Sequence, residues 1–213
     1  MDKLLKEGFK NFKNNYYKDY KSDIIKLVKD GQKPKFIVIS CSDSRVDPAI
    51  LFQTKPGDIF SIRNIANIVP PYSPNKEYHG VGAAIEFGVL DLKIKNIIVL
   101  GHSHCGGMNA LKNKMIKDDL KYKNEKREFL DSWINIASPI MSMIDPKKNS
   151  KPIQHLIEKE SIKNSLNNLK TFPWLQKLIN DKKLNIYGWW YDIEKAKLLS
   201  FDENKNTFIN LEI

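Results

Sequence analysis

Gly101-His102-Ser103-His104-Cys105-Gly106-Gly107 is the stretch that decides the fold, together with the apolar run over residues 96–100 that precedes it. A short, continuous apolar run is typical of a strand buried on both faces of a parallel sheet. The two glycines that close the stretch predict a turn leading into a helix. A second segment repeats this plan, because Cys41 directly follows the apolar run Phe36–Ile39 and Ser40. Each of the chain's two cysteines therefore stands at the carboxyl end of a predicted buried strand.

Predicted strands and helices alternate along the amino-terminal half, which is typical of an α/β fold with a mainly parallel central sheet flanked by helices. The predicted strands cover residues 36–40, 58–63 and 96–100, and predicted helices cover 80–92, 126–143, 153–169 and a short piece that begins at Pro173. A strand over 184–191 with a hairpin partner over 198–201 is predicted to close the chain. Helical patterns within residues 1–30 predict an amino-terminal helical arm. We expect residues 1–213 to form a single domain.

The amino-acid composition limits the classes of molecule that we expect this protein to bind. The net charge is +10, from 35 Lys and Arg against 25 Asp and Glu, but the lysines are spread along the chain without a basic block. We therefore expect no nucleic-acid partner. No apolar run approaches the roughly 18 residues that a membrane span needs, so we expect no membrane partner. Charged residues occupy the amino terminus where a signal peptide would be apolar, which predicts a cytoplasmic protein.

In the cytoplasm two cysteines are better explained as metal ligands or reactive thiols than as a disulfide. Cys41 and the 101–107 loop meet at one sheet edge if their strands are parallel neighbours. If the glycines open a helix, His102 and Cys105 lie three residues apart and face the same ion across one turn, whereas His104 points elsewhere. Two thiolates and one imidazole predict a zinc site with an open fourth position. A Cys41–Cys105 disulfide is the alternative.

Asp43 and Arg45 share the loop that carries Cys41. They can form an ordinary loop ion pair of small energetic value. Beside a metal, however, the Asp43 carboxylate could accept a hydrogen bond from metal-bound hydroxide, and Arg45 would keep that carboxylate ionised and fixed. We therefore expect catalytic roles for both residues.

These motifs together resemble the β-class carbonic anhydrases. The resemblance rests on Cys41-Ser42-Asp43-Ser44-Arg45 and Gly101–Gly107, and it runs from about Gly31 to Trp190. It implies that Cys41, His102 and Cys105 hold Zn²⁺, and that zinc-bound hydroxide converts carbon dioxide reversibly to bicarbonate and a proton. It also implies a homodimer, or a tetramer or octamer built from dimers, in which the amino-terminal helices embrace the partner.

Further residues correspond to the plant-like branch of this family. Gln32 matches a donor to bicarbonate, Phe60 and Ile65 match an apolar wall for carbon dioxide, and Gly106 matches a backbone contact to the bound anion. At position 87 the plant-like pattern has a tyrosine contributed across the dimer interface, whereas this chain has Phe87, which keeps the wall and loses the hydroxyl.

The allosteric branch of the family resembles this chain less. It carries a tryptophan three residues before the first cysteine ligand, where this chain has Val38. We therefore expect the open form, in which Arg45 holds Asp43, and not the closed form, in which Asp43 becomes the fourth zinc ligand. Two other functions fit the same residues: a hydrolase for carbonyl sulfide or carbon disulfide, and a non-catalytic zinc or redox module.

Overall fold

A six-stranded sheet in the order β2-β1-β3-β4-β5-β6 forms the centre of the molecule. The computed structural model describes residues 2–75, 78–116, 127–144 and 153–211, with the side chains of 115 and 116 outside the description. The strands are β1 (Phe36–Cys41), β2 (Ile59–Asn64), β3 (Asn96–His102), β4 (Asn185–Asp192), β5 (Lys197–Asp202) and β6 (Thr207–Asn210). The first four strands pair in parallel and the last two are antiparallel, which confirms the predicted mainly parallel α/β sheet.

The described residues form eight α-helices. They are α1 (Lys3–Asn14), α2 (Tyr16–Asp30), α3 (Pro48–Leu51), α4 (Gly80–Glu86), α5 (Gly106–Ile116), α6 (Leu130–Asn135), α7 (Ile153–Lys170) and α8 (Pro173–Asn180). Short 3₁₀ turns cover Ile65–Asn67 and Ser138–Met143, and one π-helical turn covers Phe87–Asp91. Within the described ranges, none of the helices combines the length and the apolar character that a membrane crossing requires.

The two strands that carry the site residues are adjacent. Ile39 of β1 pairs with Val99 of β3, so both strands end at the same sheet edge. The strands are longer than predicted, because Cys41 still pairs with Asn64 and His102 still pairs with Tyr191. Cys41 and His102 are therefore the last residues of their strands.

Helix α7 packs directly on the sheet through two glycines. A β-carbon at Gly101 would lie 2.7 Å from Ile162 Cδ1, and one at Gly188 would lie 2.7 Å from Ile162 Cγ2. Only glycine leaves room for so close an approach of helix and strand. The approach brings the amino-terminal half of α7 to the carboxyl edge of β3.

Three sequence predictions differ from the structure. The predicted helix over 126–143 begins outside the described residues and divides into α6 and a 3₁₀ turn, since Pro139 cannot extend an α-helix from α6. The predicted helix over 80–92 ends in the π-helical turn, where Gly88 lies against Ile37. Strand β6 was not predicted, because its four residues, Thr207–Asn210, alternate too briefly to stand out.

The amino-terminal arm forms two helices, as predicted, and neither contains a buried residue. Leu5 and Phe9 are about two-thirds exposed, at 67% and 66%. The aromatic rings of α1 stack on one another, with the Phe9 and Phe12 centroids 6.2 Å apart, and do not enter the core. The apolar stripe of the arm thus faces away from its own chain's core.

Candidate metal centre

Cys41, His102 and Cys105 converge at the carboxyl edge of β1 and β3. Their ligand atoms all lie within 4.8 Å of one another, and the two sulfurs are 3.9 Å apart. All three residues are buried, with exposed fractions of 5%, 1% and 1%. The predicted ligands therefore form one compact, buried cluster.

The imidazole of His102 has the tautomer that a metal ligand needs. Its Nδ1 donates to the carbonyl of Ser103 at 2.8 Å, because a carbonyl can only accept. Nε2 is then the acceptor nitrogen, and it is buried without a hydrogen-bond partner. An orphaned lone pair beside two thiols fits Zn²⁺, which takes sulfur and imidazole ligands in a tetrahedral arrangement. The residues present thus fit the metal that the donor set suggests.

The spacing argument selected the histidine that joins the cluster, but its geometric reason was wrong. His102 and Cys105 are not on one helical turn, since His102 ends β3 and α5 begins at Gly106. A tight turn through Ser103 and His104 joins them, and His104 adopts a left-handed φ of 57°. The Ser103 N–H donates to Tyr191 O at 2.9 Å, which attaches the turn to β4.

His104 lies outside the cluster, as expected. Its side chain is 48% exposed, and its Nε2 lies 3.4 Å from Glu194 Oε1. The preceding histidine alone therefore faces the two thiols.

The two thiols are unequal. The neighbouring Cys105 thiol stabilises the Cys41 thiolate and lowers the pKa of Cys41 to about 4, and His102 and the Ala66 N–H act in the same direction. The same contact with Cys41, together with burial, raises the pKa of Cys105 well above its ordinary value. Without metal the pair retains a proton, and metal binding releases it because only thiolates ligate.

Helix α7 holds both backbone groups of Cys105. The Cys105 N–H donates to Glu158 Oε1 at 3.0 Å, and Gln154 Nε2 donates to the Cys105 carbonyl at 3.2 Å. Gln154 also donates to Glu158 at 2.8 Å, and Trp190 Nε1 donates to the other carboxylate oxygen at 3.2 Å. Sequence reasoning missed these residues. Their one signal is a glutamine and a glutamate four apart on a helix, and Glu158 is only 2% exposed.

Asp43 lies beside the cluster, and hydrogen bonds from Arg45 hold its carboxylate in place. Arg45 Nε donates to Asp43 Oδ1 at 2.9 Å and Nη2 donates to Oδ2 at 2.7 Å. The Arg45 backbone N–H donates to Oδ1 as well, at 3.0 Å. These hydrogen bonds hold the pKa of Asp43 far below its ordinary range. Asp43 Oδ2 lies 4.0 Å from His102 Nε2, so an ionised carboxylate lies next to the candidate ligands.

Arg63 fixes the loop between Cys41 and Asp43. Its Nε and Nη2 donate to the Cys41 carbonyl at 3.1 and 2.9 Å, and Nη2 also donates to the Asp43 carbonyl at 2.7 Å. Its Nη1 donates to Asp47 Oδ2 at 2.7 Å, while Asp47 Oδ1 caps α3. The guanidinium thereby links the loop to the start of α3.

The predicted substrate residues fall into two groups. Ile65 packs near the start of α5, since a β-carbon at Gly107 would lie 2.9 Å from Ile65 Cγ2, and Gly106 is exposed there. Phe60 pairs with Ile37, which puts it four residues, or roughly 13 Å, from the cysteine end of the sheet. Phe87 contacts Phe60 with a centroid distance of 6.1 Å.

Gln32 is exposed between α2 and β1, at the amino end of β1. Within one chain, Gln32, Phe60 and Phe87 therefore do not join the metal cluster.

The fold and the cluster define a class of protein: a mainly parallel α/β protein with a buried Cys-His-Cys metal site at a strand edge. A family model described as carbonic anhydrase matches residues 36–198. β-Carbonic anhydrase 3 of Arabidopsis thaliana is 38% identical over 197 residues, covering 90% of this chain and 73% of that protein. The chain belongs to the β-carbonic anhydrase family.

Solved structures agree with this assignment. The β-carbonic anhydrase CcaA superposes with a TM-score of 0.83 and 33% identity, covering 99% of this chain and 92% of that one. The structure of two tetrameric β-carbonic anhydrases from Sordaria macrospora gives a TM-score of 0.73 and 26% identity, with 93% and 97% covered.

Glu158 should support metal binding through Cys105. Glu158→Leu leaves the buried donors of Cys105 and Trp190 without an acceptor, and we expect zinc affinity to fall by about tenfold or more. Glu158→Gln keeps an acceptor oxygen and should lose less. Zinc affinity is measured by competition with a chromogenic chelator, with Ser161→Ala as a control at a buried α7 position. Equal affinities for Glu158→Leu and this control would contradict the assignment.

Arg45 should set the ionisation of Asp43. In Arg45→Gln we expect the pKa of Asp43 to rise towards the ordinary value of about 3.9. Because Arg45 depresses the pKa of Asp43 in the folded state, the Asp43–Arg45 ion pair stabilises the fold. This stabilisation is fully present above about pH 4 and is lost as the pH falls below that value. The carboxyl ¹³C shift of Asp43 is followed against pH, with exposed Asp181 as internal reference. An unchanged Asp43 midpoint in the variant would exclude this role for Arg45.

Proposed function

We propose that this protein catalyses the reversible hydration of carbon dioxide to bicarbonate and a proton, with Zn²⁺ held by Cys41, His102 and Cys105. The buried cluster carries this proposal, because its unpartnered His102 Nε2 faces two sulfurs. Asp43 beside it, 4.0 Å from that nitrogen, supplies an ionised acceptor. Membership of the β-carbonic anhydrase family connects this arrangement with the reaction.

The chemistry divides between the metal and the chain. Bound zinc would polarise a water molecule so that it becomes a nucleophile near neutral pH. Asp43 is acceptor-only, since Arg45 keeps it ionised, so it can accept the hydrogen bond of the attacking water and align a lone pair with the carbon atom. Arg45 positions Asp43 and takes no direct part.

We further propose the open form of the site, in which Asp43 stays with Arg45. Both carboxylate oxygens of Asp43 accept hydrogen bonds from that guanidinium, which would have to break for Asp43 to become a ligand. Val38 supports the plant-like assignment, because it packs in the sheet with Ile98 and Leu100 where the allosteric branch has a tryptophan.

Substrate and product need different surroundings. Ile65 offers an apolar surface for carbon dioxide next to the site, with 42% of the residue exposed. The first turn of α5 presents backbone N–H groups that lack partners within the helix, and such a terminus binds anions. Gly106, the first residue of α5, is therefore suited to contact bicarbonate.

We propose that a homodimer completes the pocket. Gln32, Phe60 and Phe87 lie at the opposite end of the strands from their own metal cluster, and Phe87 is 46% exposed. The apolar stripe of α1 is also exposed, so a second copy can cover it and place its own three residues at the neighbouring cluster. The structure of tetrameric relatives supports assembly.

Three expectations from the sequence stay predictions. They are assembly into tetramers or octamers, a cytoplasmic location, and the formation of a single domain by the whole chain.

Activity is tested by stopped-flow carbon dioxide hydration with a pH indicator, on protein of measured zinc content. Asp43→Asn replaces an acceptor by an amide that can also donate, and we expect kcat/KM to fall about a hundredfold while zinc stays bound. Asp181→Asn, at an exposed acid paired with Lys183, is the matched control and should keep the wild-type rate. A zinc-loaded wild type with no rate above buffer would refute the proposed function.

The shared pocket is tested by mixing two defective chains. Cys41→Ser removes a metal ligand and Gln32→Ala removes the proposed bicarbonate donor. In a mixed dimer, one site has the intact metal ligands of one chain and the intact Gln32 of the other. Random pairing should then restore about a quarter of the wild-type activity. If Gln32 serves its own chain, mixing restores no intact site.

A further inference from the structure

The turn that follows β2 has an unusual backbone for residues that are not glycine. Ala66 has φ 64° and ψ 27°, and Asn67 has φ 48°. For alanine this left-handed conformation is unfavourable, because the β-carbon approaches the next carbonyl oxygen. Both residues are buried, with 0% and 3% exposed. Other contacts must therefore stabilise the turn.

Asn64 makes those contacts from the last position of β2. Its Nδ2 donates to the Ile68 carbonyl at 3.0 Å, and its Oδ1 accepts from the Ile68 N–H at 3.0 Å. One amide side chain thereby joins the two ends of the three-residue turn. At the first residue of the turn, Trp133 Nε1 donates to the Ile65 carbonyl at 2.8 Å.

The turn directs a hydrogen-bond donor at the metal cluster. The Ala66 N–H donates to Cys41 Sγ, with a distance of 3.4 Å. A hydrogen bond to a ligating thiolate draws charge from the sulfur, and such outer contacts orient a ligand and adjust the metal it holds. The same strand end is attached to the Cys41 loop, since the Ser42 N–H donates to the Asn64 carbonyl at 2.8 Å.

We propose that Asn64 is a positioning residue of the metal centre: it holds Ala66 in the left-handed conformation that directs the Ala66 N–H at Cys41 Sγ. Neither residue touches the reacting atoms. The inference rests on the proposed zinc site and adds to it a control over the first cysteine ligand, exerted by an amide that comes 23 residues later in the chain.

The strain in the turn supplies a rescue experiment. Asn64→Ala removes both hydrogen bonds to Ile68, and we expect the affinity for zinc to fall by about 10- to 100-fold. Adding Ala66→Gly removes the cost of the left-handed conformation, because glycine adopts it readily. The double variant should therefore recover most of the lost affinity. Asn64→Asp keeps the acceptor for the Ile68 N–H but turns a carboxylate oxygen towards the Ile68 carbonyl, which repels it, so its affinity should stay below that of the wild type.

Two readouts separate positioning from folding. Competition with a chromogenic chelator gives the zinc affinity. The sulfur-to-metal charge-transfer band of the Co²⁺-substituted protein reports on the thiolates, and we expect it to shift in Asn64→Ala and to return in the double variant. Asn185→Ala is the matched control, since Asn185 begins β4 at the opposite sheet edge and bonds Asn96. It should leave both readouts unchanged.

Wild-type affinity and an unshifted band in Asn64→Ala would overturn the inference, and so would a double variant no better than Asn64→Ala. These outcomes concern differences between variants in metal binding. Failure of the proposed function would instead appear in the zinc-loaded wild type, as absence of carbon dioxide hydration.

Discussion

The parallel pairing of β1 with β3 is the constraint on which the site depends. Ile39 faces Val99 in this pairing, and each strand continues to the residue that carries a candidate ligand. An antiparallel pairing would put Cys41 and His102 at opposite edges of the sheet, and a strand inserted between β1 and β3 would separate them by about 5 Å more. Parallel neighbours also require connections that cross over the sheet, and the loops that leave its carboxyl edge are free to carry functional side chains. The metal cluster is thus a consequence of the topology.

Helix α7 contributes residues both to the core and to the metal site. Ile162 of α7 lies against the two strand glycines, Gly101 and Gly188, while Glu158 one turn earlier accepts the Cys105 N–H. A larger residue at either glycine would move the helix away from the sheet, and Glu158 would move with it. Packing density in the core therefore determines the geometry at Cys105, which belongs with Cys41 and Ala66 to one buried apolar cluster.

The sequence alone predicts site residues that directly follow a buried strand or that lie a few residues apart in the chain. Cys41, His102 and Cys105 were predicted because cysteines that follow two buried strands are few and conspicuous, and Asp43 and Arg45 because they are two residues apart. Glu158 was not found, since its partner Cys105 is 53 residues away and only the fold brings them close. Asn64 was not found, since its side chain bonds Ile68 and acts on Cys41 only through the Ala66 N–H. The helix predicted between His102 and Cys105 was wrong, because β3 continues past its apolar run to His102, which still pairs with Tyr191 of β4.

Two carboxylates lie close to the cluster, and their surroundings give them different tasks. Asp43 faces the guanidinium of Arg45, which lowers its pKa and leaves an ionised acceptor beside the ligands. Glu158 has no such cation, and burial raises its pKa. All three of its hydrogen bonds come from N–H donors that fix a backbone or another side chain. A buried carboxylate that binds only neutral N–H donors holds structure, whereas a partly exposed carboxylate that arginine keeps ionised can take part in chemistry. The different roles of Asp43 and Glu158 therefore follow from the partners of their hydrogen bonds.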